Sequence, residues 1–488
     1  MSQCKILKST RGGDMLVLDG YSYHLNKREG NKYYWRCVKK KTAHCGVTLS
    51  TIYEDNEHKV LKQNIDHGHI PSPEKEIKLK LMTTLKERAN SSMDAPTQII
   101  QRCIQDVPTT SAPHLPNKAA MRVIIQRARN KNLPKLPTSI SEVIIPEEYS
   151  KINNNQFLVG HYTYEGESVI VFSTNENMRL ISSATFLIMD GTFQCCPLPF
   201  TQIYTIHAKV GTCDEVSQFL PLVFGLLSHK TEHCYRIFLE LVKNYIQNHI
   251  SKKLKPQIII TDFETAAINA VKSVFPKSSN KLCFFHLTQS IWRHIQSAGL
   301  AKRYGNDCVF AHKLRHLAAL AFLEPAEISE AFQIVKEEII PEEAEEVLKW
   351  FEKYYVNGSL LTVKTGSSTK LIVKHKPPQF PPHMWSVHES YISCIPMTQN
   401  SLESGHNRFN VLLNRRRWNI YQTINEFAKE QKNNECVMER LNSSEPATKK
   451  RKSGNNYNER LRVHFNNKSE MSLKSFLSGL AHICYLKT

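Results

Sequence analysis

Two apolar runs that each end abruptly in an aspartate constrain this 488-residue chain more than any other feature. Ile188-Met189-Asp190-Gly191-Thr192-Phe193 and Ile258-Ile259-Ile260-Thr261-Asp262-Phe263 both read as buried strands. Aliphatic and β-branched side chains favour the strand, and an acid that closes such a run must sit at a strand edge or end. A third acid, Glu403, opens a helix-like segment in Asn400-Ser401-Leu402-Glu403-Ser404-Gly405-His406. Two strand-borne carboxylates and one helix-borne carboxylate can hold a pair of Mg²⁺ or Mn²⁺ ions about 3.5–4 Å apart, the arrangement for in-line phosphoryl transfer. Carboxylate oxygens suit hard cations of this kind, which keep part of their water shell. The expectation is a two-metal site made by Asp190, Asp262 and Glu403.

Lysine and arginine number 64 against 45 acids, a net charge of +19 that favours a polyanionic partner. Nucleic acid is the simplest candidate, because basic side chains gain affinity by releasing phosphate counterions; ribosome-associated and membrane-surface proteins share this balance. The length suits two or three domains, and 41% hydrophobic residues can fill their cores. No charged-then-apolar leader is expected. The longest apolar stretch, around Phe219 to Leu227, falls short of the roughly 20 residues that span a bilayer. A soluble intracellular protein with no membrane partner is expected. The thirteen cysteines are scattered and odd in number, which points to reduced thiols and metal ligands rather than disulfides.

Residues 1–72 alternate as strands do, through Leu16-Val17-Leu18, Tyr21 and Tyr23, Tyr33-Tyr34-Trp35-Arg36-Cys37, and Gly46 to Thr51. Cys37 and Cys45 are followed by His67-Gly68-His69. In an extended segment, residues two apart face the same side, so both histidines can address one ion. Two thiolates and two imidazoles would complete a tetrahedral structural Zn²⁺ site; two buried cysteines and two surface histidines are the alternative. So small a β-unit has little core of its own, which makes a metal staple useful. The Gly-Tyr-x-Tyr strand, Tyr-Trp-Arg-Cys, the second Cys and His-x-His resemble a FLYWCH-type zinc finger over residues 5–72. The resemblance implies zinc binding and contact with DNA or protein, with Arg36, Lys39, Lys40 and Lys41 meeting phosphates. Those lysines would equally serve as a charged strand edge.

Residues 73–150 read as a helical linker or DNA-binding region. Apolar positions fall at Ile77, Leu79, Leu81 and Leu85, then at Ile99, Ile100 and Ile104, and a third run from Ala119 through Ile125 ends in Arg127, Arg129 and Lys131. A helix-turn-helix reader of DNA ends is one reading. No recognition-helix signature stands out, which favours the linker. Residues 155–290 then alternate: strands at Ser168–Phe172, Thr185–Phe193, Thr201–Ala208 and Leu220–Leu227, a helix from His233 to His249, a strand at Gln257–Thr261, a helix at Ala266–Val274 and a strand at Lys281–Phe285. Counted from Thr185, three antiparallel strands followed by alternating helix and strand is the ribonuclease-H-like order. In that fold the first and fourth strands are neighbours, which would bring Asp190 and Asp262 together. The expected fold class is α+β multidomain: a small β-rich zinc finger, then a ribonuclease-H-like α/β core interrupted by a helical insertion at 291–384. Residues 385–435 return to the core with the Glu403 helix, and 436–488 form a basic tail in which Leu473 to Tyr485 docks back as a terminal helix.

Asp190-Gly191-Thr192-Phe193, Tyr204-Thr205-Ile206-His207, Thr261-Asp262-Phe263-Glu264 and Cys283-Phe284-Phe285-His286 occur in this order, followed by Gly299-Leu300 and Leu317 to Leu323. Together they resemble the Mutator-like (MULE-type) transposase domain over about residues 180–430. Thr398, Asn400, Glu403 and His406 match that family's Thr-Asn-Asn-x-x-Glu-x-x-His motif, with Gln399 in place of the usual Asn and Met397 in place of the usual Arg. The resemblance implies a DNA transposase that cleaves and transfers strands through Asp190, Asp262 and Glu403 with Mg²⁺ or Mn²⁺. Its partner would be double-stranded DNA at the element's terminal repeats, and the protein a homo-oligomer. Cys283, His286 and His406 would lie near the acids without a metal assigned to them; Arg408, Arg415 and Arg416 could grip phosphates. Read without the family, Asp190-Gly191 is also a good hairpin turn, Glu264 rivals Asp262, and Cys283 suits buried packing. Lys449-Lys450-Arg451-Lys452 lies among Ser, Asn and Gly and reads as a nuclear import segment. The other reading of the whole is a domesticated transposase that acts as a non-catalytic DNA-binding or transcription regulator.

Overall fold

The computed structural model describes residues 4–9, 13–54, 57–64, 66–92, 94–131, 133–192, 196–211, 218–364, 371–392, 419–443, 452–484 and 486. The chain divides into two compact units, Met1–Lys135 and Leu136–Thr488.

The first unit opens with six strands paired in chain order: β1 (Lys5–Lys8), β2 (Asp14–Leu18), β3 (Tyr21–Glu29), β4 (Lys32–Cys37), β5 (Thr48–Glu54) and β6 (Glu57–Gln63). Asp19 and Gly20 join β2 to β3 with positive φ at both residues, 50° and 78°. Asp-Gly is the pair such a turn demands. A side chain at Gly20 would also approach Pro71 Cβ at 2.9 Å. The inward residues Leu16, Tyr23, Trp35, Val47 and Leu49 form a small core around Cys37 and Cys45. Trp35 closes it, donating from Nε1 to Thr51 Oγ1 at 2.8 Å. Residues expected as a linker or DNA-binding region form three helices, α1 (Pro73–Ser91), α2 (Pro96–Gln105) and α3 (Lys118–Lys131). Leu81 and Leu85 from α1, Ile99, Ile100 and Cys103 from α2, and Met121 and Ile125 from α3 share one buried cluster.

The second unit is built on a seven-stranded sheet of β7 (Leu158–Tyr164), β8 (Glu167–Phe172), β9 (Phe186–Thr192), β10 (Gln202–Val210), β11 (Gln218–Leu227), β12 (Ile258–Thr261) and β13 (Ser279–Leu282). The order across the sheet is β13-β12-β9-β10-β11-β8-β7. β9, β10 and β11 pair antiparallel, whereas β12 lies parallel to both β9 and β13. Leu187 and Met189 of β9 face a core shared with α4 (Asn175–Ser183), α5 (Glu232–Tyr245) and α6 (Thr265–Val274). Ile188 faces the other way, onto Ile260 and Cys283. Burial on both faces is why these strands are continuous apolar runs rather than alternating ones.

Three expectations need correction. The strand read as Lys281–Phe285 stops at Leu282, and Cys283 precedes α7 (Phe284–Ser297). Phe284, Leu287, Ile291 and Ile295 are spaced for one helical face, and that period outweighs the local apolar run. The insertion is not wholly helical: besides α8 (Cys308–Ala319), α9 (Ile328–Ile334) and α10 (Glu345–Phe351), it carries a hairpin of β14 (Ser359–Lys364) and β15 (Leu371–Lys376). The residues read as a tail begin inside α11 (Ile420–Asn442) and continue with α12 (Lys452–Asn466) and α13 (Leu473–Ile483). α11 packs on the sheet, stacking Phe427 on Phe224 with ring centres 5.0 Å apart and donating from Asn434 Nδ2 to Pro221 O at 2.6 Å. α13 docks back, placing Phe476, Leu477 and Leu480 in a cluster with Leu314, Phe322, Phe351 and Trp385 of the insertion and its exit.

His316 of α8 is only 2% exposed, with Nδ1 donating to His312 O at 3.0 Å. Burial holds this ring neutral and lowers its pKa from 6.5 to about 4. The unfolded chain therefore binds the proton first as pH falls, and stability is lost between pH 6.5 and 4, by on the order of 3 kcal/mol. Urea denaturation of His316→Gln should show a much flatter dependence on pH across this window than the parent. Parallel slopes would remove His316 as the cause.

Candidate functional site

Cys37 ends β4, Cys45 precedes β5, and His67 and His69 follow β6. Their donor atoms all lie within 4.8 Å of one another. Cys37 Sγ is 3.3 Å from His69 Nε2, Cys45 Sγ is 3.3 Å from His67 Nδ1, and the two ring nitrogens are 3.2 Å apart. A zinc tetrahedron has N–N and N–S edges of about 3.3 and 3.5 Å, from its usual bond lengths. The donor set and its spacing thus fit a structural zinc ion. Burial raises the Cys37 thiol, and a bound cation would reverse that. Both histidines are held from outside the cluster. Tyr21 stacks on His67 with ring centres 3.7 Å apart, the Tyr23 hydroxyl meets His67 Nε2 at 2.8 Å, and the Tyr21 hydroxyl donates to His69 O at 3.2 Å. The Gly-Tyr-x-Tyr motif is therefore the support of the metal ligands, and such partners fix ligand orientation. The Lys39 amide donates to Cys37 Sγ at 3.4 Å. Arg36 and Lys40 are exposed on either side of Cys37, and Lys39 is half-buried.

In the second unit, the parallel register pairs Ile188 with Ile260. Two residues further along each chain stand Asp190, 5% exposed within β9, and Asp262, just past the end of β12. The Gly191 amide donates to Asp190 Oδ1 at 2.8 Å, and the Glu264 amide to Asp262 Oδ1 at 3.3 Å. Burial, then the charges of Asp190 and Glu264, push the Asp262 carboxyl up to about 7. Asp190-Gly191 lies inside the strand, not in a turn. Its glycine leaves room for the Gln202 side chain, since a Cβ there would meet Gln202 Nε2 at 2.6 Å and displace it. The Tyr235 hydroxyl stands 2.9 Å from both Gln202 Oε1 and Glu264 Oε2, which share its one proton. Glu264, read as a rival to Asp262, precedes α6 and is held by Tyr235. Tyr204 and Tyr235 are kept protonated by burial and by these neighbouring acids. Neighbouring acids at one strand end, one of them resisting ionisation, offer the carboxylate chemistry that suits a hard divalent cation.

Cys283 packs beneath the acid-bearing strands against Ile188 and Ile260, and His286 sits half-buried in the first turn of α7. Glu403, His406, Arg408, Arg415 and Arg416 lie outside the described residues, as do Lys449, Lys450 and Arg451; Lys452 opens α12. A second group of metal-capable donors, Glu167, His229 and Cys234, was not anticipated. Glu167 pairs with His233 Nδ1 at 2.5 Å and accepts from the Thr231 hydroxyl at 2.8 Å. The signal available was the close run of His229, His233 and Cys234, but Glu167 stands on a distant strand. Among the described residues no helix is long and apolar enough to cross a membrane.

Residues 186–290 match the family model of the MULE transposase domain, and residues 6–69 match that of the FLYWCH zinc finger domain. No curated protein matches the chain. The two domains support a transposase-like, DNA-binding protein. Both acids, Tyr204, Tyr235 and the Cys283/His286 pair fall within the first match, and all four zinc-cluster residues within the second.

Two outcomes follow from these geometries. Metal analysis should find zinc bound by the chain, and Cys45→Ser should lose it together with the ordered environment of Trp35, read by fluorescence. Structural zinc contributes about 10–16 kcal/mol to folding in small fingers. Full zinc content in the variant would remove Cys45 from the cluster. Asp262 behaves oppositely to His316: its raised pKa means that stability is lost as pH rises from 3.8 to about 7. In Mg²⁺-free buffer at pH 8, Asp262→Asn should melt higher than the parent, with the difference vanishing near pH 4. Identical melting curves at both pH values would show that the ionised Asp262 is under no strain.

Proposed function

We propose that this chain is a DNA transposase whose second unit is a ribonuclease-H-like core using Asp190, Asp262 and Glu403 for strand cleavage and transfer. The observation that carries the reading is the placement of Asp190 within β9 and Asp262 just past the end of the neighbouring parallel strand β12, where the charge of one opposes ionisation of the other. The order of the five strands from β9 to β13 supports the fold, with β9 at the centre between β10 and β12. Support for Glu403 as the third acid comes from the flanks of its segment. Before it, Lys281 of β13 pairs with Glu389 at 3.0 Å and donates to His383 O at 3.2 Å. After it, Asn419 caps α11, which packs on β11. Both flanks are thus tied to the sheet that carries the acids.

Bound to these carboxylates, two Mg²⁺ or Mn²⁺ ions would activate a water or 3′ hydroxyl and stabilise the leaving oxygen. Asp190 and Asp262 act as ligands only once ionised, and Asp262 surrenders a proton it otherwise holds to about pH 7. Tyr235 keeps Glu264 turned toward α5 and its charge near Asp262. Cys283, His286 and His406 support the site from beside it. Arg36, Lys39 and Lys40 in the finger, and Arg408, Arg415 and Arg416 after Glu403, grip the phosphates of double-stranded DNA at the element's terminal repeats. The protein works as a homo-oligomer in the nucleus, delivered there by Lys449 to Lys452.

The test is cleavage of labelled DNA carrying the flanking repeats of the gene, with the parent beside Asp190→Asn, Asp262→Asn and Glu403→Gln. Cleavage that needs Mg²⁺ and drops at least a hundredfold in each variant, with DNA binding kept, is the expected result. Binding without cleavage by the parent would make the chain a domesticated regulator. Cleavage retained by one variant would remove that residue from the site.

A further inference from the structure

We propose that α3 is a recognition helix that lies in the major groove of DNA and reads base edges. This rests on the DNA-binding reading and goes beyond it by assigning the element, the groove and the side chains. α3 has the sequence Lys-Ala-Ala-Met-Arg-Val-Ile-Ile-Gln-Arg-Ala-Arg-Asn-Lys and carries no acid. Met121 and Ile125 anchor one face in the cluster shared with α1 and α2, so the opposite face is presented on a packed three-helix support. That face carries Arg122, Val123, Gln126, Arg127 and Asn130, all exposed and spaced at three and four residues along one stripe.

The basic residues of α3 divide into two roles. Arg129 is turned inward, where Nε donates to Ala89 O at 3.1 Å and Nη2 to Ser92 O at 2.6 Å and Asp94 O at 2.9 Å. It ties the helix to the end of α1 and is structural. Arg122 and Arg127 are turned outward and exposed. Gln126 donates to Asn130 across one turn at 3.2 Å, setting two amides side by side in solvent. Val123, 47% exposed, is an apolar side chain that folding leaves in water between charged neighbours. These are the residue types that base edges select: Arg for guanine O6 and N7, Gln and Asn for adenine N6 and N7, and an aliphatic group for the thymine methyl. A helix about 10–12 Å wide fits the major groove of B-form DNA, about 12 Å across, and not the narrow one of A-form RNA. Small Ala119 and Ala120 at its start allow close approach.

The experiment is selection by the full-length, zinc-loaded chain from a pool of randomised DNA duplexes in Mg²⁺-free buffer, followed by affinity measurements on the enriched sequence. The parent should enrich a motif. Gln126→Ala and Asn130→Ala should each lower discrimination at one or two of its base pairs by roughly tenfold or more. Arg122→Ala and Arg127→Ala should weaken binding, and for either one that meets a phosphate the log–log salt slope should fall by about one. Arg129→Ala should lower the melting temperature and leave the base preference alone. No enriched motif, the same preference in the Gln126 and Asn130 variants, or equal competition by duplex RNA would overturn the assignment. Cleavage is not read here, so a chain that selects its motif through α3 but never cuts DNA keeps this inference and loses the transposase.

Discussion

The parallel pairing of β9 with β12 is the contact on which the second unit depends. Every other strand of the seven-stranded sheet joins this pair from the outside, and the pairing sets two carboxylates beside each other at the end of an apolar layer. Folding alone would not retain that arrangement, because it buries like charges together and drives one carboxyl toward its neutral form. The surrounding network limits the cost without removing it. Amides at Gly191 and Glu264 reach the two acids, and the Tyr235 hydroxyl serves Gln202 and Glu264 together. The acids still gather negative charge at one place, and a natural complement to that charge is a cation.

The first unit solves a related problem by a different route. Its β-core is a few large side chains around two thiols, and the donors of the Cys/His cluster are continuous with that core rather than attached to its rim. Tyr23 is both a core residue and the hydrogen-bond partner of His67, so packing and ligand orientation are the same event. The aromatic residues that make the strands recognisable in the sequence are therefore also the ones that set the ligands.

Much of the fold was legible because its strands are long apolar runs broken by acids, and because the zinc donors lie near one another along the chain. Asp190 and Asp262 could be picked out by that break in pattern alone. Other features depend on distance in space. Tyr235 looks like any aromatic residue on an amphipathic helix until the sheet brings Gln202 and Glu264 to its hydroxyl. Cys283 stands at the junction where a strand period gives way to a helical one, and four residues of apolar sequence suit either. Arg127 and Arg129 are two residues apart and chemically identical, yet one faces solvent and the other closes a helix end. Only the packing of α3 on α1 separates them, which is why a run of basic residues carried no recognition signature when read as letters.

The docking of α13 into the insertion has a consequence for how the protein is made. Phe476, Leu477 and Leu480 fill a cluster whose other members, from Leu314 to Trp385, leave the ribosome far earlier. Until α13 emerges, that apolar surface has no cover, whereas the first unit draws its contacts from one short span and can settle while synthesis continues. The nascent chain thus passes through a state with a finished finger and an open insertion, the interval in which chaperones would have most to do. A chain interrupted before α13 would leave that surface open.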